Sequence, residues 1–158
     1  MPEYENSRRV PFQFEEPRQE RIFRRLKLVG DGPAEFYRDA CRLMSQESDF
    51  ASTTHLVAHL LREIESGLRQ ILETVADQSL RLKKGAKNEE KHTDKIRAVL
   101  KGLEIAEIDP VAEVWLRLPG RDNNYGLAAR AHRDDLSAPR TLDGEFKEFW
   151  NLSHSDRL

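Results

Sequence analysis

Apolar residues recur every three to four positions along most of this chain, the spacing of a helix with one buried face. The longest such series is Leu56, Val57, Leu60, Leu61, Ile64, Leu68, Ile71, Leu72 and Val75. It predicts a central helix of about six turns, with Ser52, Thr53 or Thr54 as N-cap because a hydroxyl there accepts an otherwise unpaired backbone N–H. Upstream, Ile22, Leu26 and Val29 mark a helix that starts at Arg18, and Gly30-Asp31-Gly32-Pro33 closes it and opens the next. That second helix, 33–47, places Phe36, Tyr37, Ala40, Cys41 and Met44 on its inner face. Downstream, Thr93 is read as the cap of a helix carrying Ile96, Val99, Leu100 and Leu103. Asp109-Pro110 starts a shorter one with Val111, Val114, Trp115 and Leu118, which Pro119-Gly120 ends. Asn124 to Leu136, rich in alanine, and a piece begun by Leu142, Phe146, Phe149 and Trp150 complete the pattern. No run of β-branched residues suggests a strand and no internal repeat appears. The expected fold is all-α, a helical bundle around a long amphipathic helix.

Two segments lack the helical period. Residues 1–17 mix charges with Pro2, Pro11 and Pro17 and are read as an N-terminal arm, disordered or laid extended on the domain or on a partner. Within it Val10, Phe12 and Phe14 alternate, as they do when one side of an extended segment lies in a groove. Residues 81–92, with Arg81, Lys83, Lys84, Lys87 and Lys91, are read as a mobile loop inside a single domain spanning 18–158.

Composition narrows the class. With 158 residues, 38% of them hydrophobic and 34% charged, one domain with a real core and a solvated surface is expected. The apolar runs are too short to cross a bilayer, and the charged N-terminus lacks the core of a signal peptide, so a cytoplasmic protein without a membrane partner is expected. Cys41 stands alone, which excludes an internal disulfide and a multi-cysteine zinc site. Arg18, Arg21, Arg24, Arg25 and Lys27 form one basic cluster and the 81–91 residues another. Such clusters hold phosphate backbones or simply face solvent, and with a net charge of −2 no DNA partner is expected.

Two constellations carry chemistry. His55 and His59 are one turn apart with Glu63 a further turn on, a spacing that lets two imidazoles and a carboxylate share a metal. On a helical wheel this row, continued by Arg62, Ser66, Arg69 and Glu73, lies opposite the apolar stripe, so it is read as either exposed to solvent or covered by another chain. The second constellation is Arg130-Ala131-His132-Arg133-Asp134-Asp135. His132 there has the chemistry of a general acid or base and, equally, of a satisfied structural histidine.

His-Leu-Leu-Arg-Glu-Ile-Glu-Ser-Gly-Leu-Arg at 59–69, followed by a small-residue helix ending in Ala131-His132-Arg133, resembles the HEPN domains of prokaryotic toxin–antitoxin, abortive-infection and other defence systems. The resemblance spans roughly residues 33–150. It implies a dimerising helical bundle of a kind that is often a metal-independent ribonuclease without a cofactor. Nuclease members carry an arginine four to six residues before their histidine, whereas positions 125–127 here are Tyr125, Gly126 and Leu127. His132 is therefore the residue carried over, with Arg121, Arg130 and Arg133 as neighbouring arginines that stabilise phosphate charge.

Two functions follow as expectations. One is an HEPN-like domain of a defence or toxin–antitoxin system that acts on RNA, as a homodimer or in a protein complex. The other is a non-catalytic scaffold that dimerises or docks on a partner through its helix faces and its arm. A metal-dependent hydrolase on His55, His59 and Glu63 is the second enzymatic choice.

Overall fold

A computed structural model describes residues 11–45, 50–77, 88–118, 127, 131 and 142–154. Among them every regular element is helical: α1 (Pro17–Val29), α2 (Asp31–Met44), α3 (Thr53–Leu72) with a 3₁₀ turn (Glu73–Val75), α4 (Asn88–Gly102), α5 (Pro110–Arg117) and α6 (Gly144–Ser153). The all-α architecture with a long α3 follows the hydrophobic period. None of the helices described is long and apolar enough to cross a membrane.

Local chemistry explains most of the helix ends. Pro17 occupies the first turn of α1, and the Gln19 side-chain oxygen accepts the backbone N–H of the N-cap residue Glu16 at 3.4 Å, one of the donors a helix start leaves open. Asp109 accepts the Val111 N–H at 2.9 Å ahead of Pro110, and Asp143 accepts that of Phe146 at 2.8 Å. Of the two hydroxyl caps expected, one stands in place without its bond and one is absent. Ser52 is the N-cap of α3 but makes no side-chain cap bond, and the Thr53 hydroxyl turns back to the Phe50 carbonyl at 2.6 Å. Thr93 lies inside α4, which starts at Asn88. The helical backbone thus takes in the last part of the expected 81–92 loop, while 78–87 lie outside the described residues.

Apolar burial divides into two clusters. The larger joins Leu26 of α1, Tyr37, Ala40 and Cys41 of α2, Val57, Ala58 and Ile64 of α3, Phe146, Phe149 and Trp150 of α6, and Leu127 and Ala131. The smaller is built from Ile96 and Leu100 of α4 and Ala112 of α5, with Ile105, Trp115 and Leu116 against it. Phe36, expected on the inner face of α2, is among the exposed residues. It is next to Tyr37, and two adjacent side chains on a helix are about 100° apart, so the buried stripe takes only one of them fully. The arm behaves as its alternation implies over the part described: Phe12 and Phe14 are half-buried against the larger core while Pro11, Gln13 and Glu15 are exposed. Phe14 packs on Phe23 of α1 and Tyr37 of α2, with ring centroids 5.2 and 6.4 Å apart. This segment therefore lies on its own domain. Val10 lies outside the described residues.

The 3₁₀ turn after α3 brings the chain across the end of α4. The Asp77 N–H donates to the Ala98 carbonyl at 2.8 Å, and Lys101 pairs with Asp77 at 2.9 Å. Helix α4 then ends with Ile105 N–H on Leu100 O at 2.9 Å and Glu104 N–H on Lys101 O at 3.1 Å, the two bonds of a Schellman motif. Glu104 sits at the left-handed position, φ 58°.

Candidate functional site

A cluster of charged side chains lies where the two cores meet. Arg62, Glu65, Arg69 and Glu73 follow one another on α3 at intervals of three and four, a single row along the helix. Helices α4 and α5 come against its lower part. Glu65 Oε1 accepts the Trp115 indole N–H at 3.1 Å and the Arg69 Nε–H at 3.2 Å. Glu73 Oε1 accepts from Lys95 Nζ at 2.7 Å and lies 3.9 Å from the Arg69 guanidinium. His92 and Lys95, three residues apart on α4, share the face turned toward this row, and the charges of Arg69, Glu65, Lys95 and Arg62 all act on the His92 ring.

This geometry revises one expectation. The polar row of α3, expected to be exposed or covered by another chain, is exposed at His59 and Ser66, whereas Arg69 is only 9% exposed and Arg62 and Glu73 are half-buried. The cover comes from this chain's own α4 and α5. A helical wheel locates the row opposite the larger core but contains no information about a second, smaller core seated on the other side.

Arg62, Arg69 and Lys95 stand with the carboxylates Glu65 and Glu73 around this junction. Lys95 bonding to the Glu73 carboxylate holds its pKa below the ordinary value. Burial, followed by the nearby Arg69, pushes the His92 imidazole below its usual value, with Lys95 and Arg62 adding to the effect and Glu65 opposing it. At neutral pH His92 is therefore a neutral ring beside guanidinium and ammonium groups. Such a set can accept a proton while neighbouring cations hold an anion, the combination phosphodiester chemistry requires. The half-buried Trp115 adds an aromatic edge to the same junction.

Of the expected site residues, His55, His59 and Glu63 fall elsewhere. His55 is half-buried near the start of α3, and His59 and Glu63 are exposed. His59 lines a shallow groove of about 310 Å³ between α2 and α3 together with Asp39, Arg42, Leu43, Leu56 and Leu60. Among the described residues no three histidine, cysteine, aspartate or glutamate side chains form a group that could hold a metal ion. His132, Arg121, Arg130 and Arg133 lie outside the described residues, although Leu127 and Ala131 of the same expected helix are helical and buried in the larger core.

No protein-family model, curated protein or solved structure matches this chain. The site must be argued from its own residues. Sequence reasoning passed over His92 because it closes a lysine-rich stretch assigned to a loop. The available signal was the helical spacing of His92 and Lys95 with Ile96 and Val99, which extends the α4 period back past Thr93.

Proposed function

We propose that this chain is an HEPN-like helical domain of a prokaryotic defence or toxin–antitoxin system and acts on RNA. The observation that carries the proposal is the junction of α3, α4 and α5, where a neutral His92 adjoins Arg62, Arg69 and Lys95. The basic segment Arg81 to Lys91 runs in sequence directly into this helix end and supplies further cations to attract a polyanion. In this reading Arg62 and Lys95 hold the phosphate and His92 takes the proton of the attacking 2′-hydroxyl; the new 2′-oxygen–phosphorus bond displaces the 5′-oxygen, which leaves with a proton from water. His132 is the competing proton-transfer residue. The test is incubation of the purified protein with single-stranded and transfer RNA in the presence of a chelator. Cleavage lost in His92→Ala and retained in His132→Ala supports the junction. The opposite pattern moves the site to the later helix, and no cleavage by the wild-type protein contradicts the enzymatic reading.

The groove between α2 and α3 favours a second reading, a non-catalytic domain that pairs with a copy of itself. Leu43, Leu56 and Leu60 form its apolar lining, and Asp39 and Arg42 give it both charge signs, a self-complementary surface of the kind a two-fold dimer uses. Light scattering tests it: the reading requires a dimer mass for the wild-type chain and a monomer mass for Leu56→Arg.

A further inference from the structure

One oxyanion already sits among the cations of the α3–α4–α5 junction, and it belongs to the chain itself. Glu73 Oε1 accepts a hydrogen bond from Lys95 Nζ at 2.7 Å and lies 3.9 Å from a terminal nitrogen of the Arg69 guanidinium. Two cations on two different helices thus converge on a single carboxylate oxygen. A lysine point charge beside an arginine fork takes a phosphate oxygen in the same way.

The partners differ in how firmly they are held. Arg69 is nine-tenths buried, and its Nε–H is committed to Glu65 at 3.2 Å. The same Glu65 oxygen is tied in turn by the Trp115 indole. The guanidinium is therefore anchored at Nε, while its terminal nitrogens hydrogen-bond to no described residue and remain available beside Glu73. Glu73 is the looser partner. Its side chain is 39% exposed and that of Lys95 38%, so both ends of their bond are within reach of solvent. Glu73 also stands at the C-cap of α3, where unpaired carbonyls give the helix end a partial negative charge that disfavours a carboxylate. An ion pair as exposed as this one holds weakly, and a second oxyanion competes for the same donors.

We infer that Arg69 and Lys95 form a phosphate-binding site which the Glu73 carboxylate occupies in the free protein and yields when a phosphate group arrives. Arg69 is the fixed wall of the site, Lys95 the exchanging cation and Glu73 the resident competitor. This deepens the RNA reading and rests on it for the source of the phosphate, whereas the site itself stands on the junction's geometry.

The test is a titration with inorganic phosphate at fixed pH and ionic strength, read at the ring protons of His92, on which Arg69 and Lys95 both act. Glu73→Gln keeps the shape of the side chain and gives up its charge, and it should bind phosphate about fivefold more tightly than the wild-type chain. Glu20→Gln removes the same charge from the exposed Glu20–Arg24 pair on α1 and should leave the affinity unchanged. Equal affinity in Glu73→Gln and wild type, equal tightening in Glu20→Gln, or no response at His92 in any of the three overturns the inference. If Glu73→Gln does not fold, the Glu73 carboxyl carbon signal of the wild-type protein decides. Saturating phosphate must move it as Lys95 lets it go, and a signal that stays in place while His92 responds is fatal. A parallel titration with labelled single-stranded RNA separates the two readings: tightened phosphate binding without RNA binding supports the site and removes RNA as the source.

Discussion

Gly102 lies directly beneath the carbonyl of Val75: a Cβ built on Gly102 would stand 1.8 Å from the Val75 oxygen and 2.9 Å from its carbonyl carbon. The obstacle is backbone, which cannot rotate aside as a side chain can. Here the chain leaving α3 crosses the end of α4 and is fastened by the Asp77 to Ala98 hydrogen bond. Gly102→Ala is expected to separate the two segments and cost about 2 kcal/mol or more. Urea denaturation measures this, and a variant as stable as wild type would show that the crossing is not held.

Glu104 adopts φ 58° at the left-handed position that closes α4, a conformation in which a Cβ is strained by about 1 kcal/mol. Its side chain is exposed. Glu104→Gly should therefore raise stability by about 0.5–1 kcal/mol, read as a higher denaturation midpoint at unchanged slope.

The two cores are joined by a polar contact, and Glu65 is its hinge, since one carboxylate oxygen serves both Trp115 and Arg69. Glu65→Leu leaves a nearly buried guanidinium without its nearest partner and an indole N–H without an acceptor. The expected loss is about 3 kcal/mol, accompanied by a shift in Trp115 emission. The exposed Arg97 to Glu107 pair is the contrast, for which Arg97→Ala should cost about 0.5 kcal/mol or less.

Cys41 is 2% exposed, and burial pushes its thiol up to about 12. At pH 8 an ordinary thiol is roughly one-tenth ionised, and one at about 12 roughly a thousandfold less so. Labelling by a thiol-specific reagent should accordingly be about a thousandfold slower than in denaturant and should report unfolding. Rapid labelling of the folded chain would place Cys41 outside the core.

The order of helices was legible because their boundaries depend on neighbours in sequence: Asp109 before Pro110 and Gly30 after α1 act within a turn of where they stand. What failed depends on neighbours in space. Thr93 has the chemistry of a cap, but α4 runs through it because Lys95 and Ile96 find partners on α3 and in the smaller core. Glycine is required at 102 because Val75 passes overhead, a neighbour that the sequence around 102 does not reveal. The spacing of His55, His59 and Glu63 is visible in the sequence itself, whereas His92 gains its character from four charges, three of them on another helix. A row opposite an apolar stripe appears free until a second core is known to sit on it.

Binding tests the proposal that the α3–α4–α5 junction holds RNA phosphate, without depending on turnover. Fluorescence anisotropy with a labelled single-stranded RNA, titrated at several salt concentrations, should show binding that weakens as salt rises. Arg62→Ala and Lys95→Ala should each weaken that binding and flatten its salt dependence by about one ion, while their circular dichroism stays that of the wild type. Absence of binding at low salt, or binding that both variants retain in full, would contradict the account.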